Sequence, residues 1–219
     1  TKTFKMIEKS FNFLVKLCAF SIVLLMFALL LVLIFGSSTA FERFGIGFLF
    51  DSSWDISKEH FGAAAAIYAT LLSSAIAMIF ALPVSLGIAI FLTHILTNRF
   101  KSFFSICIEL LAAIPSIIYG MWGFLYFVPI VGAIFGGSGV GLLASGGVLA
   151  IMILPLIACI AKDAINAVPR AMVESAYALG STRAQVLCSV VLIHAKGGIL
   201  AGVILALARA LGETMAVVF

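Results

Sequence analysis

Five long apolar runs separated by short polar segments set the pattern of this chain. Residues 17–36 carry no charge and are long enough for a membrane crossing, which takes about 20 predominantly apolar residues. Comparable runs at 66–92, 103–127, 142–161 and 198–219 predict four further spans. Ser38-Thr39-Ala40 has the small-residue look of a signal cleavage site. The apolar core of a secretory signal is only about 7–15 residues, so the first run is read as an uncleaved span. Prolines fall inside three runs. Pro83 is expected to kink the second, Pro115 to break the third at Ala113-Ile114-Pro115-Ser116, and Pro155 to interrupt the fourth.

The polar segments differ in kind. Residues 37–61 carry Glu42, Arg43, Asp51, Asp55, Lys58 and Glu59 among Phe41, Phe44, Phe48, Phe50 and Trp54, a pattern suited to an interfacial segment anchored by aromatic rings. Residues 136–147 are glycine-rich, with no Gly-Lys-Ser/Thr ending and no strand before them. They read as a turn rather than a phosphate-cradling loop.

Residues 162–197 are the long polar interruption. Pro169 suits the first turn of a helix. Met172, Val173, Ala176 and Leu179 then recur at helical spacing and form one apolar stripe, with Arg170, Glu174 and Ser175 off it. Gly180 is a helix-ending residue, and Thr182 with Gln185 has the form of a capping box that restarts a helix. The prediction is helix, glycine turn, helix, outside the membrane core. On pattern alone the alternative is an ordinary amphipathic connector lying on the lipid surface.

The last run holds two charges. Arg209 and Glu213 are four apart and would share one face of a helix. An isolated charge in mid-bilayer costs a few kcal/mol, so pairing them away from lipid is expected. The bland reading is a structural ion pair between helices. The functional one is that Arg209 lines an anion pathway through its planar, permanently charged fork, with Glu213 orienting it.

Composition agrees with a membrane domain. Of 219 residues, 64% are hydrophobic and 10% charged, against about 25% charged in soluble domains. Mean hydropathy is +1.29. The net charge of +4 is informative through its placement. Lys2, Lys5, Lys9, Lys16, Arg99, Lys101, Lys162, Arg170, Arg183 and Lys196 lie in the N-terminal segment and two alternate loops, whereas the intervening loops hold only Arg43 and Lys58. By the positive-inside rule the N-terminus and residues 162–197 are cytoplasmic. Cys18, Cys107, Cys159 and Cys188 have neither metal-ligand spacing nor a place in the outer loops, and His60, His94 and His194 are scattered. No Ser/His/Asp set, H-E-x-x-H or Walker lysine is present, so catalysis by this chain is not expected.

Two motifs carry a family resemblance. Glu174-Ser175-Ala176, three residues, Gly180, nine residues and Val190-Val191-Leu192 resembles the E-A-A…G…I-x-L-P loop of bacterial ABC-importer permeases, departing from it at Ser175, Val190 and Ile193. Ala208-Arg209-Ala210-Leu211-Gly212-Glu213-Thr214-Met215-Ala216-Val217 resembles the ARAxGETMAV segment of phosphate-importer permeases of the PstC type. Residues 112–120, the Pro83-Val84-Ser85-Leu86-Gly87 segment and Ser52-Ser53-Trp54-Asp55 are similar to that group as well. The resemblance covers nearly the whole chain.

It implies an all-α integral membrane fold, a type I, MetI-like helical bundle filling residues 1–219 as one permease domain. Six spans are usual in that family, so a chain with five is expected to be truncated at its C-terminus. The implied function is a permease subunit of an ATP-driven phosphate importer in the bacterial inner membrane. Glu174, Ala176, Gly180 and Thr182 would couple it to an ATPase, and Arg209 and Glu213 would line the pathway. The implied partners are a second homologous permease, cytoplasmic ATP-binding subunits, an extracytoplasmic phosphate-binding protein and lipid, without nucleic acid. The chain itself would hold no cofactor, ATP being bound by the ATPase. Alternatives are another oxyanion (molybdate or sulfate), or a proton-coupled secondary transporter using Glu109 and Glu213. A membrane enzyme is the remaining class.

Overall fold

The computed structural model describes residues 2–55 and 60–214. Among them, five helices are long and apolar enough to cross a membrane: Glu8–Phe44, Ala64–Ile95, Ser116–Phe135, Leu142–Asn166 and Arg183–Leu211. The chain divides into two compact units between Ala66 and Ile67.

The first unit is led by α1 (Lys2–Phe44), whose large apolar residues from Phe11 to Phe41 are exposed. After it come a turn of 3₁₀ helix at Ile46–Leu49 and a two-residue hairpin, β1 (Trp54–Asp55) against β2 (His60–Phe61). Asp51 Oδ1 accepts from Ser53 N at 2.8 Å and Ser53 Oγ at 2.7 Å, which tightens the approach to the hairpin. The rings of Phe44, Phe48 and Phe61 pack together, Phe44 and Phe61 edge to face with centroids 5.8 Å apart. Lys58 and Glu59 lie outside the described residues.

The second unit is built around α6 (Leu142–Asn166), the most buried of the five. Pro155 does not interrupt it. Three neighbours run along α6. One is α2 (Ala64–Ile90), which extends through a π-helical turn at Phe91–Ile95. Its buried face is a stripe of small residues at four-residue spacing: Ser73, Ala77, Ala81, Ser85 and Ala89. Small side chains let helix backbones approach closely where lipid supplies no hydrophobic drive to associate. Ser85 Oγ donates to the Leu154 carbonyl of α6 at 2.9 Å.

The second neighbour is the third apolar run, and it differs from the expected 103–127 span. Residues Asn98–Ala112 form a separate helix, α3. The chain breaks at Ala113-Ile114-Pro115, and the span-length helix begins at Ser116. It comprises α4 (Ser116–Trp122), a π-helical turn at Gly123–Phe127 and α5 (Val128–Phe135). The break is where Pro115 lacks the N–H that would bond the Leu111 carbonyl. Tyr119 Oη donates to that carbonyl instead, at 2.8 Å.

The third neighbour is α9 (Leu192–Leu211), which crosses α6 through close contacts. A Cβ on Gly202 would lie 2.9 Å from Ile160 Cγ2. Gly146 of α6 is as tight toward α2, where a Cβ would lie 2.7 Å from Ile76 Cγ2, and a Cβ on Gly123 would collide with Val148.

Between α6 and α9 the chain forms α7 (Arg170–Ala178) and α8 (Arg183–Val186). A π-helical turn at Leu187–Val191 joins α8 to α9, so Arg183–Leu211 is one long helix. The irregular connection is thus shorter than the expected 162–197, because both of its ends are absorbed by spans. Likewise the glycine-rich connection is confined to 136–141, with α6 starting at Leu142.

Candidate functional site

The expected helix–turn–helix is present. Pro169 stands one position earlier than the sequence suggests, as the cap before α7 with ψ 127°. At the far end Gly180 has φ +82°, and two hydrogen bonds close the helix: Gly180 N to Tyr177 O at 2.9 Å and Ser181 N to Ala176 O at 3.2 Å. This is a Schellman turn with glycine in the left-handed position. Thr182 then caps α8. Gln185 N donates to Thr182 Oγ1, and Thr182 N donates to Gln185 Oε1 at 2.8 Å, completing the capping box.

The apolar stripe divides where the sequence reading had it whole. Val173 and Ala176 pack into a buried cluster that contains Ala161 and Ile165 of α6 together with Val186, Val191 and Ala195. Met172 faces outward, and Leu179 is 87% exposed. Glu174, Gly180 and Thr182 are exposed beside them. Glu174, Ala176, Gly180 and Thr182 therefore belong to one small knob fixed to the end of α6.

Arg209 and Glu213 lie at the opposite end of α9, whose 20 residues span about 30 Å at 1.5 Å per residue. Their expected shared helix face is not formed. The helix ends at Leu211, Gly212 caps it with its N–H on Ala208 O, and Glu213 follows in non-helical chain. The two residues are half-buried and are placed differently. Glu213 lines a cavity of about 270 Å³ with Thr70, Ser73, Phe124, Ser145 and Ala210, and is the one charged residue among its described lining. Arg209 is outside that lining. The Met215–Val217 part of the expected motif lies outside the described residues.

A third polar cluster was missed from sequence. Lys162, buried in α6, places Nζ 2.6 Å from Ser105 Oγ and 2.7 Å from Glu109 Oε1, both on α3, with Asp163 Oδ1 at 3.6 Å. One turn on, Lys101 Nζ donates to Asn166 Oδ1 at 3.2 Å. The Lys162 hydrogen bond and charge hold the Glu109 carboxyl below the usual carboxylate range. A carboxylate kept ionised in this way is poorly suited to pick up and release protons, which weighs against the proton-coupled alternative. The sequence signal was there: Ser105 and Glu109 are polar, four apart, on a helix otherwise rich in Phe, Ile and Leu.

Comparison with known proteins fits this arrangement. Residues 81–219 match the family described as binding-protein-dependent transport system inner membrane component. This chain belongs to that family. Among named relatives, the phosphate transport system permease protein PstC of Pasteurella multocida (strain Pm70) is 42% identical over 97% of this chain and 73% of its own length. The protein of the same name from Haemophilus influenzae is also 42% identical, over 97% and 74%. That of Mesorhizobium japonicum is 40% identical over 100% and 73%. A chain of the MetNI methionine ABC transporter, solved in inward facing conformations, superimposes with a TM-score of 0.54. It shares 24% identity and covers 69% of this chain and 68% of its own. The permease fold is thus the MetI-like bundle, and the permease is a multi-pass membrane protein.

Among the described residues, no three His, Cys, Asp or Glu side chains gather into a group able to hold a metal ion. The four cysteines are free.

Proposed function

We propose that this chain is the permease subunit of an ATP-driven importer that moves inorganic phosphate across the bacterial inner membrane. The observation that carries this reading is similarity at about two residues in five, along almost the whole chain, to proteins named as phosphate transport permeases.

In this reading the N-terminus and the α7 knob face the cytoplasm, in keeping with the ten basic residues shared among the N-terminal segment, residues 99–101 and residues 162–196. A separate ATP-binding subunit grips the knob. Leu179 and Met172 supply the apolar contact, and Glu174 supplies charge. Gly180 and Thr182 hold the angle between α7 and α8, and Ala176 seats the knob on α6. Nucleotide-driven closure of the ATPase moves the knob, and with it α6, so that the bundle alternates its access. A second homologous permease completes the pathway, and an extracytoplasmic binding protein delivers phosphate. Arg209 meets the anion by its fixed positive charge. Glu213 lines the cavity at the same end of α9. The chain holds no cofactor of its own, ATP being bound by the partner.

The test is uptake by the assembled transporter in proteoliposomes. Radiolabelled phosphate uptake that needs ATP, persists when the proton gradient is collapsed and resists competition by sulfate and molybdate is the expected result. Uptake that follows the proton gradient, or that prefers another oxyanion, would overturn it.

A further inference from the structure

We propose that Lys162 is a positioning residue for transport, the joint through which movement of the α7 knob reaches the broken third span. The inference rests on the ATP-driven importer reading and names a part of its drive train.

The geometry has three links. First, α7 is fixed to the last turns of α6. Val173 and Ala176 pack into the buried cluster that also holds Ala161 and Ile165, which lie on either side of Lys162 in the sequence, and only residues 167–169 separate the two helices. Displacing the knob therefore displaces the turn that carries Lys162. Second, Lys162 and Asp163 are the only charged residues in α6, and Lys162 reaches across to Ser105 and Glu109 of α3. With Lys101 bonded to Asn166, α3 is tied to the end of α6 at two levels one turn apart. Third, α3 ends at the break before Pro115, where Tyr119 Oη still holds the Leu111 carbonyl. Gly120 and Phe124, which follow on the far side of the break, line the cavity that Glu213 also lines. A shift of α3 is thus passed across a jointed strut to the walls of that cavity.

Stability alone does not account for the cluster. A buried ion pair is often no better than well-packed apolar residues of the same volume, and its best-attested use is to fix register. Here Glu109 remains more than half exposed, while Lys162 is buried with its polar partners on another helix. An apolar side chain at 162 would fill the same space and leave Glu109 to water. What it would lose is the directional tie between α6 and α3.

The experiment compares phosphate moved per ATP hydrolysed in the assembled transporter in proteoliposomes, for wild type, Lys162→Met, Glu109→Gln, the double variant and Lys162→Arg. The expected result is a fall on the order of tenfold in that ratio for Lys162→Met and Glu109→Gln, with ATP hydrolysis retained. The double variant should be no worse than Lys162→Met, because the two residues act as one unit, and Lys162→Arg should recover most of the ratio. An unchanged ratio overturns the proposal. So do uptake and hydrolysis falling together in proportion to assembled complex, which marks a merely structural strut, and independent, multiplying losses in the double variant. A wild-type complex without ATP-dependent phosphate uptake overturns the importer reading and the joint with it, and is recognised without any variant.

Discussion

Tyr119 Oη sits 2.8 Å from the carbonyl oxygen of Leu111, eight residues earlier and on the other side of a proline break. The carbonyl is the one that Pro115 leaves without its usual helical donor. The phenol from the next helix and Ile114 N, at 3.3 Å, share that acceptor as the chain turns at 113–115. Tyr119→Phe should cost about 1 kcal/mol, the net worth of a typical hydrogen bond. Thermal unfolding of the detergent-purified protein would register it as a lower midpoint, and an unchanged midpoint would mean that water or Ile114 serves Leu111 equally well.

Gly180 carries a conformational demand, since nothing crowds the space where a Cβ would sit. With φ at +82°, an L-residue there is strained by roughly 1–2 kcal/mol. Activity should fall in the order Gly, Asn, Ala, Val, because Asn tolerates the left-handed region best. ATP-dependent phosphate uptake by membrane-inserted variants, with co-purification of the ATPase, would check the order. A Val variant with full uptake would remove the turn from the mechanism.

Reversing the charge in Glu174→Lys should leave insertion and folding intact, because the side chain is exposed. ATP-dependent uptake should drop by about 5- to 150-fold if a coupling energy of about 1–3 kcal/mol is carried at this surface. Uptake assays normalised to membrane-inserted protein decide it. Leu179→Asp, on the most exposed large apolar residue of the knob, should act in the same direction.

Arg209→Gln should impair phosphate uptake while the transporter assembles normally, and Arg209→Lys should keep only part of it, since a lysine lacks the planar two-point fork. Full uptake by an assembled Arg209→Gln transporter would reduce Arg209 to a structural charge.

The Glu109 carboxyl, lowered by Lys162, makes a pH prediction with a definite sign. A depressed acid contributes stability that is present above its unfolded pKa and lost as pH falls through its lower folded pKa. The difference in unfolding midpoint between wild type and Glu109→Gln should therefore be largest near neutrality and shrink in acid below the normal carboxylate range. A difference that grows toward acid pH would contradict the tie to Lys162.

Much of this was legible in the chain because bilayers impose simple length rules. The apolar runs pointed to five span-length helices, and glycine and capping chemistry located the turn between α7 and α8. The misplaced third span has a physical cause. Phe103, Phe104 and Ile106 are as apolar as a span, yet Pro115 splits the run, and only tertiary packing reveals which half begins a span-length helix. Leu179 was placed on a buried stripe because spacing cannot say where a short helix ends and its cap turns outward. The Arg209–Glu213 face failed for a similar reason: the rule of four needs a helix through Gly212, and α9 stops there. Lys162 was invisible because its partners are more than 50 positions away.

The close approaches of Gly123, Gly146 and Gly202 bear on how such a bundle can move. Side chains that mesh can swivel and let a gap open gradually, whereas backbone set against a neighbour's methyl groups has nothing to rotate out of the way. Around α6 the helices are therefore expected to tilt as stiff rods, with the flexing left to the connections that join them. Adding one methyl at any of these three positions should jam the gears before it melts the protein.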